Sequence, residues 1–174
     1  MKYLALLIFF MFSVSALFAQ NNPDRITEIK KSVELINHKK LSIRTISGSG
    51  EILGETTDGS AVLKGYYEND NLRKIVLEVG LSTCKDVSQY FFEQGALIFA
   101  YEKEDGFVYD EVKNDFDYHK TQHLMDCRFY FDHDKIIKTL ISGNARCNVT
   151  PTGKTAVDII NECSRYIALL NNKM

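Results

Sequence analysis

Tyr66-Tyr67-Glu68-Asn69-Asp70-Asn71-Leu72 decides the reading of this chain, because its order of residue types returns twice. The second copy is Phe91-Phe92-Glu93-Gln94-Gly95-Ala96-Leu97 and the third is Tyr130-Phe131-Asp132-His133-Asp134-Lys135-Ile136. Each copy runs two aromatics, an acid, three polar or small residues and an aliphatic. Successive side chains of a strand point to opposite faces, so one ring of each pair is expected to face the core and its neighbour the other side. The polar triplet is turn chemistry, and the aliphatic is the first inward residue of the next strand. The acid is expected to bond turn amides. Three such hairpins in succession predict a meander. The copies start 25 and 39 residues apart, which excludes a solenoid of fixed period.

Outward from these copies, hydrophobicity keeps a period of two from Leu41 to about Leu140. Ile75, Leu77 and Val79 alternate with Lys74, Val76 and Glu78, and Leu97, Phe99 and Tyr101 alternate with Ile98, Ala100 and Glu102. Antiparallel strands with one well-buried face are expected. Ser47-Gly48-Ser49-Gly50, Asp58-Gly59, Gln94-Gly95 and Asp105-Gly106 punctuate the run as turns. Asn114 to Met125 is polar and poorly periodic and reads as a long loop or a short helix interrupting the sheet.

Helical spacing appears only at the two ends. Ile26, Ile29, Val33 and Ile36 predict an amphipathic helix of about four turns, with Asn22 as cap and Pro23 at its first position, ending near Asn37. Thr155-Ala156-Val157-Asp158 has capping-box form, and Ala156, Ile160, Cys163, Ile167 and Leu170 follow at helical spacing. The expected fold class is α+β: an antiparallel β-meander of about six to eight strands, with an N-terminal and a C-terminal helix packed on one face and the other face free.

The three hairpins resemble MORN-variant repeats and uncharacterised secreted β-meander proteins of Bacteroidota, whose signal peptides often end in Ala-Gln as Ala19-Gln20 does here. The likeness covers three short stretches. It departs from the MORN pattern in lacking a regular period and, in two of three copies, the turn glycine. It implies a style of fold and transfers no functional residue.

Residues 1–19 read as an export signal: Lys2, an uncharged apolar run from Leu4 to Phe12, then small residues and Ala19 before Gln20. The uncharged stretch from Tyr3 to Ala19 is shorter than the roughly 20 residues that span a bilayer. No membrane span is expected after cleavage, and residues 20–174 are expected to form a single α+β domain in the periplasm or outside the cell. The chain has 21 basic and 23 acidic residues. Such a balance supplies no basic patch for nucleic acid or anionic membrane. Four cysteines, Cys84, Cys127, Cys147 and Cys163, follow the signal, and an oxidising compartment makes them disulfide candidates with three possible pairings. None has the short spacing of a zinc knuckle.

Several constellations could carry chemistry. Thr150-Pro151-Thr152-Gly153-Lys154-Thr155 ends like a phosphate-binding loop, but Asn148 stands where the first glycine belongs, and a helix cap explains the stretch better. His119 and His123, with Asp126, offer two imidazoles and a carboxylate to a catalytic metal, without the glutamate of His-Glu-x-x-His. Asp132-His133-Asp134 could orient an imidazole, yet it occupies the turn of the third hairpin. There is no Gly-x-Ser-x-Gly nucleophile elbow. No cofactor is called for. The aromatics remain: Tyr67, Phe91 and Tyr130 are the candidates for an exposed stripe of rings suited to protein or glycan contacts. The leading expectation is an exported non-catalytic binding module, recognising an envelope or secreted protein, or a glycan, through an aromatic sheet face or hairpin tips. The competing expectations are a metal-assisted hydrolase using His119 and His123, and a structural envelope component.

Overall fold

The computed structural model describes residues 22–147 and 153–172, so the expected signal segment lies outside the described residues. Helix α1 (Asn22–His38) is followed by strand β1 (Ser42–Ser47) and a five-residue helix α2 (Ser49–Leu53). Strands β2 (Ala61–Glu68), β3 (Asn71–Gly80), β4 (Cys84–Glu93), β5 (Ala96–Asp110), β6 (Asp115–Asp132) and β7 (Lys135–Gly143) come next, and helix α3 (Ala156–Asn171) closes the domain. The seven strands form one sheet in the order β1-β2-β3-β4-β5-β6-β7, each antiparallel to its neighbours in sequence. This is the α+β meander that the alternation predicts. The additional helix α2 stands where glycine and serine suggest only a turn. Ile52 anchors α2 in the core, and Gly54 ends it in the left-handed conformation.

The three sequence copies are three hairpins of one build, all at the same end of the sheet. The ladder slips between Tyr66 and Tyr67, between Phe91 and Phe92, and between Tyr130 and Phe131. In each case the second strand carries one extra residue: Arg73, Ile98 or Ile137. Two adjacent aromatics followed by a tight turn are therefore the signature of a β-bulge, which bends and twists the sheet end. The turns use left-handed residues, Asn69 and Asp70 in the first, Gln94 and Gly95 in the second, and His133 in the third.

The acids of the copies do not serve the turn amides as expected. Following the second ring by one residue, each lies on the opposite face, where it meets α1 or the residue just past it. Asp132 pairs with Arg25 at 3.5 Å, Glu93 accepts from the Ser32 hydroxyl at 2.9 Å, and Glu68 accepts from Lys39 at 2.6 Å. Read along the helix, these partners run from β6 through β4 to β2, so α1 crosses the strands. The fourteen-residue rise from Arg25 to Lys39 is about 21 Å. Four strand spacings are about 19 Å, so the helix fits the row of acids it crosses.

The helices pack on opposite faces, which corrects the expectation that both share one. Ile29 and Ile36 of α1 pack with Phe91, Ile98, Phe99 and Tyr130. Ile159, Cys163, Tyr166 and Leu170 of α3 pack with Leu63, Ile75, Tyr90, Phe92, Phe129 and Phe131. The cause lies in the aromatic pairs: two adjacent rings make both faces of that sheet end apolar, and each face needs a cover. Gly65 permits the α3 contact, since a Cβ there would stand 2.8 Å from Leu170 Cδ1 and 2.9 Å from the Tyr67 ring. The capping box at Thr155 forms as the sequence indicates, with Asp158 N–H donating to Thr155 Oγ1 and Thr155 N–H to the Asp158 carboxylate.

Asn114 to Met125 is neither loop nor helix. Except for Asn114 in the preceding turn, it is part of β6, paired with the far half of β5. Of the three disulfide pairings, the fold makes Cys84–Cys147, with a Cα separation of 6.2 Å. The cystine ties the segment after β7 to the start of β4. Buried Glu104 holds the same segment by accepting the amides of Arg146 at 2.6 Å and Cys147 at 3.0 Å. Cys127 and Cys163 remain buried thiols on the α3 side. Burial pushes the Cys127 thiol up to about 12, helped by Glu102 and Asp126, and pushes Cys163 up as well.

Candidate functional site

The aromatic stripe proposed from sequence is covered. Tyr67, Phe91 and Tyr130 are only 4%, 2% and 3% exposed. Phe91 and Tyr130 lie under α1, and Tyr67 lies on the α3 side with the Arg44 guanidinium 4.1 Å above its ring. The aromatic pairs supply core to both faces of the hairpin end.

The histidine group is half assembled. His123 bridges two strands: its Nε2 is 3.5 Å from the Asp126 carboxylate and its Nδ1 3.4 Å from Asp105. Asp126 is buried and also meets Arg128 at 2.5 Å. His119 does not join them. It sits in a bulge of β6, where its amide donates to Asp117 at 3.0 Å. Among the described residues, the one cluster of three potential ligand groups within 4.8 Å is Cys84, Glu104 and Cys147, and the cystine consumes two of the three. His133 takes the turn position at φ 50° and contacts Asp132 at 3.2 Å, as hairpin chemistry requires.

Residues 150–152 of the phosphate-loop-like stretch lie outside the described residues, but Lys154 is committed elsewhere. Its ammonium lies 2.7 Å from Glu102 and 3.2 Å from Glu162, and Glu162 accepts the Tyr90 hydroxyl at 3.1 Å. Burial raises the Glu102 carboxyl above its ordinary range against the pull of Lys154. Lys154 itself is lowered by burial but raised more by its two carboxylates, so it titrates above an ordinary lysine. Burial sets the direction for Glu102, and the two carboxylates set it for Lys154. The arrangement fastens α3 and the chain before it to the sheet.

What stands free is an arm built by β5 and β6. β4 begins opposite Gly106 and β7 ends opposite Met125, so the chain from Val108 to Lys120 continues as a two-stranded hairpin with no further strand beside it among the described residues. Its base is pinned by Phe107 N–H donating to Thr83 O at 2.9 Å and by the Arg146 guanidinium donating to Phe107 O at 3.3 Å. Two edge-to-face ring pairs stiffen it, Phe107 with Tyr118 at 5.0 Å and Tyr109 with Phe116 at 5.3 Å. The tip is an Asx turn: Asp110 accepts the amides of Val112 and Lys113, which holds its carboxyl below the usual range, and Tyr109 OH donates to Asn114 at 2.7 Å. On this braced frame Val112 is 96%, Tyr118 55% and Tyr109 47% exposed. The arm also carries Asp110, Glu111, Asp115 and Asp117 against Lys113 and Lys120.

Sequence reasoning missed the arm as a site, yet a signal existed. The second interval between the aromatic copies exceeds the first by 14 residues, 39 against 25, which is the length the arm adds between β4 and β7. Compared with known proteins, the chain matches no family model, no curated protein and no solved structure.

Proposed function

We propose that the protein is an exported, non-catalytic recognition module that engages a partner protein through the β5–β6 arm. The observation that carries this reading is the arm: two strands run past their neighbours and present two tyrosines and a valine on an internally braced frame. Rigid amphipathic rings contribute contact area at low entropic cost, and the outer edges of both strands offer unpaired backbone groups to a partner. Export is supported by the signal-like residues 1–19 and by the Cys84–Cys147 disulfide; no helix among the described residues is long and apolar enough to cross a membrane. Metal-assisted hydrolysis at His119, His123 and Asp126 has weaker support, because His119 does not converge with the other two.

Site-specific photo-cross-linking in the producing cells tests the reading. A cross-linker replacing Val112 should capture one partner protein in near-stoichiometric yield, and Tyr109→Ser with Tyr118→Ser should abolish capture while circular dichroism stays unchanged. A cross-linker at Val157, on the exposed side of α3, serves as control. The same products from both positions, or capture that survives the double substitution, would refute the proposal.

A further inference from the structure

At the opposite end of the sheet from the arm tip, a cleft of about 310 Å³ opens between the end of α1, β1, β2 and β3. Its apolar wall is Ile36, Leu41, Ile43 and Tyr66, and its cations are Lys39, Lys40 and Lys74; among the described residues no acid lines it. Lys39 is engaged by Glu68. Lys74, half-buried on β3, is not engaged in this way. Its ammonium lies 4.8 Å from the Phe91 ring centroid and 5.8 Å from that of Tyr66, and it donates to Asn37 Oδ1 at 2.9 Å. Among the described residues it has no carboxylate partner. Two other partly buried lysines contrast with it: Lys64 of β2 sits 3.1 Å from Glu78, and Lys154, just before α3, sits on Glu102 and Glu162. A desolvated ammonium without a counter-charge is costly, and burial accordingly lowers the Lys74 pKa.

We propose that this cleft binds a small carboxylate carrying an apolar stem, with the carboxylate on Lys74 and Lys40 and the stem against Ile36, Leu41, Ile43 and Tyr66. The volume holds roughly ten water-sized groups, the size of a medium-chain acid. Ile43, 56% exposed at the rim, gives the stem an apolar margin. A free fatty acid and the carboxyl terminus of an apolar peptide share this chemistry. The proposal is independent of the arm.

Calorimetric titration of the full chain tests it with octanoate, 1-octanol, acetyl-Leu-Leu and the amide of that dipeptide. At least one carboxylate should saturate a single site, with its neutral counterpart much weaker, and the preferred pair separates fatty acid from peptide. Lys74→Gln should weaken that carboxylate about 10- to 100-fold, as expected for a lost charged hydrogen bond. Because Lys74 also rests on Phe91, Ile43→Asp provides a second variant: it leaves the lysine in place and repels the carboxylate from an exposed position. Equal affinity for charged and neutral probes overturns the proposal. So do unchanged affinity in a folded Lys74→Gln or Ile43→Asp protein and the absence of saturable binding by any probe.

Discussion

Cutting the Cys84–Cys147 cystine should cost about 4 kcal/mol without unmaking the fold. The bridge closes a loop with a sequence separation of 63, spanning β4 to the segment after β7. For a loop of that length the chain-entropy estimate is about 4 kcal/mol at room temperature, against about 3 kcal/mol for the shorter Cys147–Cys163 alternative. That is a large part of the 5–15 kcal/mol typical of a domain. The native position of the segment does not rest on the cystine alone. Glu104 binds the Arg146 and Cys147 amides, and Arg146 binds the carbonyl oxygens of Thr83 and Phe107. Reduced protein and the Cys84→Ala/Cys147→Ala variant should therefore unfold cooperatively and agree with each other within about 1 kcal/mol, since both lose chiefly a constraint on the unfolded chain. Urea unfolding followed by fluorescence measures this. Alkylation of Cys127 and Cys163 gives a second probe, because both thiols are buried and should react only as the domain opens. An oxidised protein less than about 1 kcal/mol more stable than the double variant would refute the entropic reasoning.

The Glu102 carboxyl is raised above its ordinary value of 4.5, so the folded state holds that proton more tightly than the unfolded chain. Its contribution is fully present below about 4.5 and is lost as pH rises through the folded pKa; wild type should thus gain on Glu102→Gln between pH 7 and pH 4 in paired urea unfolding. A gap that widens with rising pH would mean that the Lys154 contact outweighs burial. Phe131→Ala, at a fully buried ring, should cost about 3–5 kcal/mol. In the same assay Val112→Asp should stay within about 0.5 kcal/mol, because the Val112 side chain is almost fully exposed.

The hairpins were legible because each aromatic pair is immediately followed by its turn, and local turn chemistry is written locally. The helix faces were not. Alternation shows that Phe91 and Phe92 point oppositely, but only the three-dimensional path of α1 across Asp132, Glu93 and Glu68 shows that the Phe91 side is covered. The acids were assigned to the wrong partners for the same reason, since a turn amide is near in sequence and α1 is not. The arm escaped because the ladder passes from Phe107 opposite Thr121 to Val108 opposite Asp117, which loops out Tyr118, His119 and Lys120. That bulge breaks the period of two where Phe116 and Tyr118 would have shown a strand. Lys74 could not be recognised either: its distinction is a missing counter-charge, and a missing contact leaves no pattern in a sequence.

Because every strand pairs with the strands adjacent to it in sequence, the sheet has a growth front. Each new strand needs only the closure of a short connection to join the edge made just before it, except across the longer segment between β1 and β2, so the entropy of ordering is spread over small steps. In a chain delivered from its N-terminus the front moves from β1 to β7, and the growing edge is always the newest strand. The α3 side of the core is closed last, when the final helix reaches a face that is already complete.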